Sequence, residues 1–389
     1  MDAFYASVEL LRYPDLRGQP VVIGGGRSHA PRTDTNGIRR YAQLREYTGR
    51  GVVTTSTYEA RALGVHSAMG MMKAAALAPE AILLPVDFDE YRKYSRRFKA
   101  AVREVAPLVE DRGIDEIYID LTDVPGAQAD DGRAAGEALR RAVFAATGLT
   151  CSVGITPNKL LSKIASELDK PDGLTLLSLA DVPSRIWPMA AKKINGIGPK
   201  ATAKLAALGI VTIGELAAAD PGFLVTQFGK SYGAWLHAAA HGRDERPVVL
   251  HSEPKSISRE TTFERDLHAV RDRPQLSELF TRLCVQLAAD LERKGYAAKT
   301  IGLKLRFDDF RIVTRDVTLP AHTLEARTIR RAAGECLKRV DLSRRMRLLG
   351  VRAGNLARLD ELLNPAATVA CEPEPVDLSP MPLFDGLPD

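Results

Sequence analysis

The sequence predicts an α+β protein of several domains, and three observations carry that reading. The chain has 389 residues, more than one compact core serves well. Helical-period segments alternate with short period-two runs, the pattern of helices packed on sheets. Composition also shifts along the chain, from a mixed N-terminal part to an Ala- and Leu-rich stretch over 176–243, then a basic stretch and an acidic end. Lys plus Arg against Asp plus Glu stand at 31 and 28 over residues 1–250, at 21 and 14 over 251–350, and at 2 and 7 over 351–389. Positive charge gathered in one late domain attracts a phosphate backbone without reading its sequence, although a merely solvated basic face gives the same count.

Several classes are disfavoured. No apolar run approaches the roughly 18 residues that span a bilayer, and the N-terminus lacks the basic-then-apolar pattern of a signal peptide, so a cytoplasmic protein is expected. Cys151, Cys284, Cys336 and Cys371 are scattered, with neither a C-x-x-C nor a histidine at metal spacing. They read as reduced structural thiols rather than zinc ligands.

Taken in order, Tyr91, Tyr94, Phe98, Val102 and Val105 recur at helical spacing with Arg and Lys between them, and Pro107 stops the pattern. That helix leads past Arg112-Gly113 into Ile114 to Leu121, an alternating run with Asp115 and Glu116 at its mouth. Strict alternation sends adjacent side chains to opposite faces, so both carboxylates reach one metal only if the backbone bends, which Gly113 allows. The pair reads either as solvated loop carboxylates or as hard oxygen ligands for Mg²⁺. Thr150 to Ile155 reads as a short strand, after which Thr156-Pro157 starts a helix carrying Leu160, Leu161, Ile164 and Leu168. Helices on one side of a small mixed sheet follow. Lys200–Leu208 and Ile213–Ala219 are short helices, and a charged connector with Pro247 and Pro254 precedes the basic domain. There, 299–307 and 312–319 alternate as strands while 275–291 and 323–340 look helical, which predicts a sheet backed by two helices. The acidic, Pro-rich end is expected to be disordered.

Five motifs occur in one order: Met1 to Glu9, Thr55 to Arg61, the Asp115-Glu116 pair, Ser152 to Ile155 continuing to Lys170-Pro171-Asp172-Gly173, and Gly196-Ile197-Gly198. Together they resemble the Y-family translesion DNA polymerases, most closely the bacterial DNA polymerase IV type, over residues 1 to about 356. The resemblance implies a right-hand architecture: palm over 1–4 and 83–175, fingers over 5–82, helical thumb over 176–243, α/β little finger over 252–356 and tail over 357–389. It implies template-directed, low-fidelity transfer from dNTPs to a primer 3′ hydroxyl with two Mg²⁺ ions, on primer-template DNA, by a monomer away from membranes. Asp115 would bridge the metals and Glu116 would lie beside the attacking hydroxyl.

The family's third carboxylate is the first Asp of an Asp-x-Asp-x-Phe-Tyr pattern. Met1-Asp2 matches only the x and the second Asp, so Asp2 is not expected to be the principal ligand, and an upstream apolar strand ending in Asp is expected. Without it, the palm sheet would carry unpaired backbone. Tyr5 matches the steric gate against ribose, though a tyrosine there also packs in cores. Tyr58, Arg61 and Thr55 match fingers residues at the triphosphate, where Arg grips phosphate oxygens and Tyr donates one more hydrogen bond; the alternative is an exposed Arg beside a half-buried Tyr. Lys170 matches a palm lysine on the triphosphate. Gly196, Gly198 and Lys200 look like a helix-hairpin-helix phosphate contact or else a plain turn. Lys255, Arg259, Lys304 and Arg306 match phosphate contacts of the little finger. Residues 27–50 form an Arg-containing insertion read mainly as solvated. Pro380 to Phe384 resembles a sliding-clamp peptide with anchors Leu383 and Phe384, although Pro380 replaces its leading Gln. Two rivals stand beside this reading: a DNA-binding relative impaired in catalysis for want of the first Asp, and another palm-type cyclase or nucleotidyltransferase.

Overall fold

Residues 1–26 and 29–363 are described by the structure, a computed structural model. The chain divides into a unit of Met1–Ser252 and a unit beginning at Glu253.

In the first unit, α1 (Phe4–Arg12) starts from a left-handed Ala3 and leads to β1 (Val21–Gly24). The 27–50 insertion, expected to be a solvated loop, contains a short hairpin, β2 (Arg32–Thr33) with β3 (Arg39–Arg40), and then β4 (Ala42–Gln43). Its arginines are largely neutralised locally: Arg40 pairs with Asp34, Arg45 with Glu80 and Arg39 with Asp15. Next come β5 (Val53–Ser56), α2 (Tyr58–Ala62), α3 (Met71–Leu77) and β6 (Ile82–Leu84). A mixed sheet of order β4-β6-β1-β5 results, with Val22, Leu83 and Met71 fully buried beneath it.

The expected long helix is α4 (Phe88–Val105), capped by Asp87, whose side chain accepts from the Glu90 N–H. Its Tyr91, Phe98 and Val102 stripe is buried, worth about 1.5–3 kcal/mol for each side chain removed from water. Then β7 (Val109–Asp111) pairs antiparallel with β8 (Ile117–Ile119), α5 (Arg133–Thr147) packs on α4, and β9 (Val153–Ile155) pairs with β10 (Leu174–Leu176) across α6 (Lys159–Leu168). The residue that caps α6 is Asn158, accepting from the Leu161 N–H, and not Thr156-Pro157.

One small mixed sheet was expected here, and two separate two-stranded pairs are found. The facing strands, β8 and β9, bound a cavity of about 890 Å³ floored by Phe98, Val102, Leu139 and Val143. All six residues of β8 and β9 are only half-buried, each strand having a neighbour on one side only. Four short helices follow, α7 (Pro199–Ala207), α8 (Ile213–Ala218), α9 (Pro221–Phe228) and α10 (Lys230–Ala240), around Leu205, Leu216 and Leu236.

The second unit is built from long strands. β11 (Ser256–Leu267), α11 (Arg273–Lys294), β12 (Tyr296–Phe307), β13 (Ile312–Thr323), α12 (Ala326–Leu337) and β14 (Met346–Arg358) precede a final turn, α13 (Leu359–Leu363). The sheet has order β11-β14-β12-β13 with every neighbour antiparallel, and both long helices cover one face. Sequence reading missed β11 and β14. β11 is an edge strand rich in Arg, Glu and Thr, and β14 is interrupted by glycines at 350 and 354, so neither shows clean alternation.

Candidate active site

The bend expected between the carboxylates exists. Gly113 sits at φ +151°, a region that side chains rarely adopt, and Lys99 ties the turn by donating to both Asp111 oxygens (2.8 and 2.7 Å) and to the Gly113 carbonyl (2.6 Å). The Arg112 N–H closes it on the Glu116 carbonyl at 3.1 Å. Asp115 and Glu116 therefore emerge just before β8, and both line the cavity. Asp115 is half-buried and Glu116 exposed.

Cations face them. Lys163 of α6 donates to Glu116, and Lys163 and Lys170 both approach Glu167, at 3.6 and 2.7 Å. Burial alone would depress the Lys163 ammonium, but Glu116 and Glu167 more than offset it and hold it above its usual range. Burial would likewise raise Glu167, yet the two lysines bring its carboxyl below the usual value. Sequence reading assigned no role to Glu167. The signal was present in its i+4 spacing from Lys163 and its i+3 spacing to Lys170.

Tyr5 and Tyr58 lie near enough to feel the charges of Asp115 and Glu167 respectively, but neither they nor Thr55 and Arg61 line the cavity itself. Tyr5 lies in the first turn of α1, not at a strand end, with its ring 4.5 Å from that of Tyr91 and edge-on to Phe88. Burial, then the charge of Asp115, pushes its phenol up. Thr55 is buried in β5. Tyr58 and Arg61 share one face of α2: the Arg61 guanidinium lies 4.9 Å from the Tyr58 ring centre and donates to the Ser56 carbonyl at 3.2 Å. The Tyr58 hydroxyl is buried without a partner among the described residues. Burial and the nearby charge of Asp2 push it up to about 12, so at neutral pH it is an O–H donor with nothing to donate to.

Asp2 is engaged otherwise. Only 2 % exposed, it accepts from Ser152 Oγ at 2.8 Å and from the Asp172 N–H at 2.9 Å, one bond on each carboxylate oxygen. Its backbone N–H donates to the Thr150 carbonyl, and the Met1 ammonium donates to the Asp115 carbonyl at 2.9 Å. Asp2 thus staples the first residues to the 150–152 and 172–173 loops. Among the described residues, no group of three His, Cys, Asp or Glu side chains is arranged to hold a metal ion. Asp115 and Glu116 are donors of the right kind for a hard cation.

Gly196, Gly198 and Lys200 belong to the first unit and do not line this cavity. Gly196, at φ +114°, places its Cα against Trp235 so closely that a Cβ would come within 2.6 Å of the ring, and its carbonyl accepts from the Tyr232 hydroxyl. Gly198 caps α7, and Lys200 in its first turn is exposed. In the second unit Lys255 is exposed ahead of β11, while Lys304 and Arg306 stand on the face away from the helices, Lys304 paired with Glu260 at 2.7 Å. Arg259 departs from that group. Its strand position pairs through Val351 with Leu303 on the helix-backed face, and Asp290 of α11 grips its guanidinium. Leu383 and Phe384 lie outside the described residues.

Two family models match the chain: the impB/mucB/samB family over residues 1–167, and that family's C-terminal domain over 254–363. The chain is 41 % identical to a DNA polymerase IV of Streptomyces coelicolor over 92 % of its own length and 70 % of the relative's. It is 39 % identical to that of Caulobacter vibrioides, covering 90 % and 80 %, and 38 % identical to that of Methanoculleus marisnigri, covering 92 % of each. Among solved structures, a Y-family DNA polymerase chimera of Dbh and Dpo4 superposes with a TM-score of 0.75 at 24 % identity, over 92 % of this chain and 97 % of that one. The insertion ternary complex of Dbh DNA polymerase gives 0.62, over 92 % and 98 %, so the fold is shared. Ordered motifs, architecture and relatives agree, and the chain belongs to the Y-family of translesion DNA polymerases, among relatives of the DNA polymerase IV type.

Proposed function

We propose that the chain extends primers on a DNA template at low fidelity, transferring nucleotides from dNTPs by two-metal chemistry, as a cytoplasmic monomer. Family membership brings a dependence on divalent metal; two Mg²⁺ ions are this proposal's finer statement. The observation that carries it is one cavity wall bearing Asp115 and Glu116 with Lys163 and Lys170 opposite, carboxylates for cations beside cations for phosphates. In domain terms, palm (1–4 and 83–175), fingers (5–82), thumb (176–243) and little finger (252–356) would divide the work.

Divalent cations, when bound, would neutralise the triphosphate and lower the pKa of the primer hydroxyl. The chain's own groups would do the rest. Asp115 and Glu116 supply hard oxygen ligands, and Lys163 neutralises Glu116 until a cation replaces it. Lys170 and Arg61 take phosphate oxygens, and the unpartnered Tyr58 hydroxyl donates a further bond to them. Tyr5 packs under the sugar, its ring held by Tyr91 and Phe88 so that it cannot swing away from a 2′ hydroxyl. Gly196, Gly198 and Lys200 hold one DNA phosphate, and Lys255, Lys304 and Arg306 track the backbone further along. A sliding clamp would be reached through Leu383 and Phe384.

A second reading, a DNA-binding relative impaired in catalysis, keeps the DNA contacts without extension. Primer extension with Mg²⁺ separates the two. Asp115→Ala and Glu116→Ala are each expected to lower the extension rate roughly a hundredfold or more while primer-template affinity holds. Extension that persists in both variants sinks the metal-site assignment, and DNA binding without any extension by the parent chain favours the second reading.

A further inference from the structure

The nearly buried pair Glu110 and Lys159 has no role in the chemistry above. Glu110 in β7 is 5 % exposed and Lys159 at the start of α6 is 8 % exposed, and they meet at 2.7 Å. Besides Arg112, 3.5 Å from Glu110, and the Tyr118 ring, 5.4 Å from Lys159, their partners belong to the connector. Lys159 Nζ donates to the Pro247 carbonyl at 2.7 Å, and Glu110 Oε2 accepts from the Val249 N–H at 2.8 Å. Upstream, Asn158 Nδ2 donates to the Gly242 carbonyl and the Leu160 N–H donates to Asp244 Oδ2, with Arg246 closing on Asp244. Residues 242–249 are therefore laid along β7 and the start of α6, although Val249 and Leu250 bury little apolar surface, at 44 % and 57 % exposed. Hydrophobic contact does not hold this segment; a buried charge pair does. Burial would raise the Glu110 carboxyl, but Lys159 and the Val249 N–H outweigh it and keep it below the usual range, so Glu110 stays ionised at neutral pH.

We propose that Glu110 and Lys159 act as a latch on the connector, a positioning pair that sets how long a tether joins the basic second unit to the catalytic one. Latched, the free tether is the six residues 250–255, after which β11 begins at Ser256. Released as far as Asp244, it becomes the eleven residues 245–255. The effective concentration of a tethered module falls roughly as the −3/2 power of tether length, so release lowers the second unit's contribution to primer-template binding by about two- to threefold. The inference rests on the proposed function only in taking DNA as the shared ligand.

The test uses the full chain. Glu110→Ala combined with Lys159→Met leaves no unpaired buried charge, and Val249→Pro deletes the donated N–H, fixing φ at 249 and restricting Val248 but leaving the palm-like strands untouched. In each, hydrogen exchange of residues 245–250 is expected to quicken at least tenfold while β7 and α6 stay protected. Primer-template Kd, read by fluorescence anisotropy without nucleotide, is expected to rise two- to threefold. Unchanged exchange at 245–250 in folded variants overturns the latch, and quickened exchange with an unchanged Kd overturns its role in binding. Neither readout needs catalysis, so failure of the polymerase reading shows in primer extension alone.

Discussion

The strands of the second unit and the strands around the candidate site are drawn from similar residues but end differently. β12 and β14 are flanked by partners on both sides and backed by α11 and α12, with Leu303, Leu305 and Phe307 almost wholly excluded from water. β8 and β9, with Ile117, Ile119, Val153 and Ile155, each have one partner and look across a cavity. Alternating apolar residues therefore make a strand in both places, while a closed sheet needs a neighbour for every interior edge. Where that neighbour is wanting, the same residues form walls, and the carboxylates that precede β8 stand at the mouth of a groove.

Truncating one buried phenylalanine in each unit is expected to give the largest difference. Phe307→Ala is expected to cost about 3–5 kcal/mol in the denaturant unfolding of the second unit. Phe98→Ala, beside a cavity already present, should cost less than half as much. Both tryptophans, Trp187 and Trp235, lie in the first unit, so their fluorescence follows that unit while circular dichroism follows both. Equal costs would mean that the groove is as tightly packed as the closed sheet. Native-state hydrogen exchange sharpens the contrast at the backbone. Outward amides of Ile117–Ile119 and Val153–Ile155 should exchange about a hundredfold faster than those of β14. Comparable protection would show the open edges to be covered in solution.

Gly113→Ala comes next. No atom lies near its absent Cβ, so the cost is conformational alone, of order 1–3 kcal/mol for a side chain at φ +151°. Chain extension should fall with it, because the turn aims Asp115 and Glu116; unaltered activity would separate the bend from the site. The smallest effect is a pH dependence. Each unit holds a nearly buried carboxylate gripped by cations and held low, Glu110 by Lys159 and Asp290 by Arg259 and Arg293. Both carboxyls are held below their ordinary values, 4.5 and 3.8, despite burial that acts the other way. Their stabilisation is therefore complete above those values and is lost as pH falls through the lower, folded-state ones. Acid titration of unfolding should show this loss as pH falls below about 4.5, and Glu110→Gln should lessen it in the first unit only, where Asp87, Asp111, Glu167 and Asp244 are also held low. An unchanged slope would remove Glu110 from the balance.

Much of this was legible in the residues. The stripe from Tyr91 to Val105 specifies α4 because its period and its capping Asp87 act within a few turns. The need for a bend at Gly113 follows from two adjacent carboxylates and the absence of a Cβ. Local periodicity and turn chemistry also mark β12, β13 and the glycine of the 194–200 hairpin. The long-range pairings carried no such local sign. Nothing near Arg259 announces that Asp290, 31 residues away, will claim it, nor that Asp2 will spend both oxygens on residues 152 and 172. Sequence by itself determined which segments could be helix or strand, because those choices are settled by neighbours along the chain. Tertiary structure alone decided that Glu167 joins the lysines and that a buried Glu110 holds the connector, because these depend on which groups meet when water is removed and must satisfy one another.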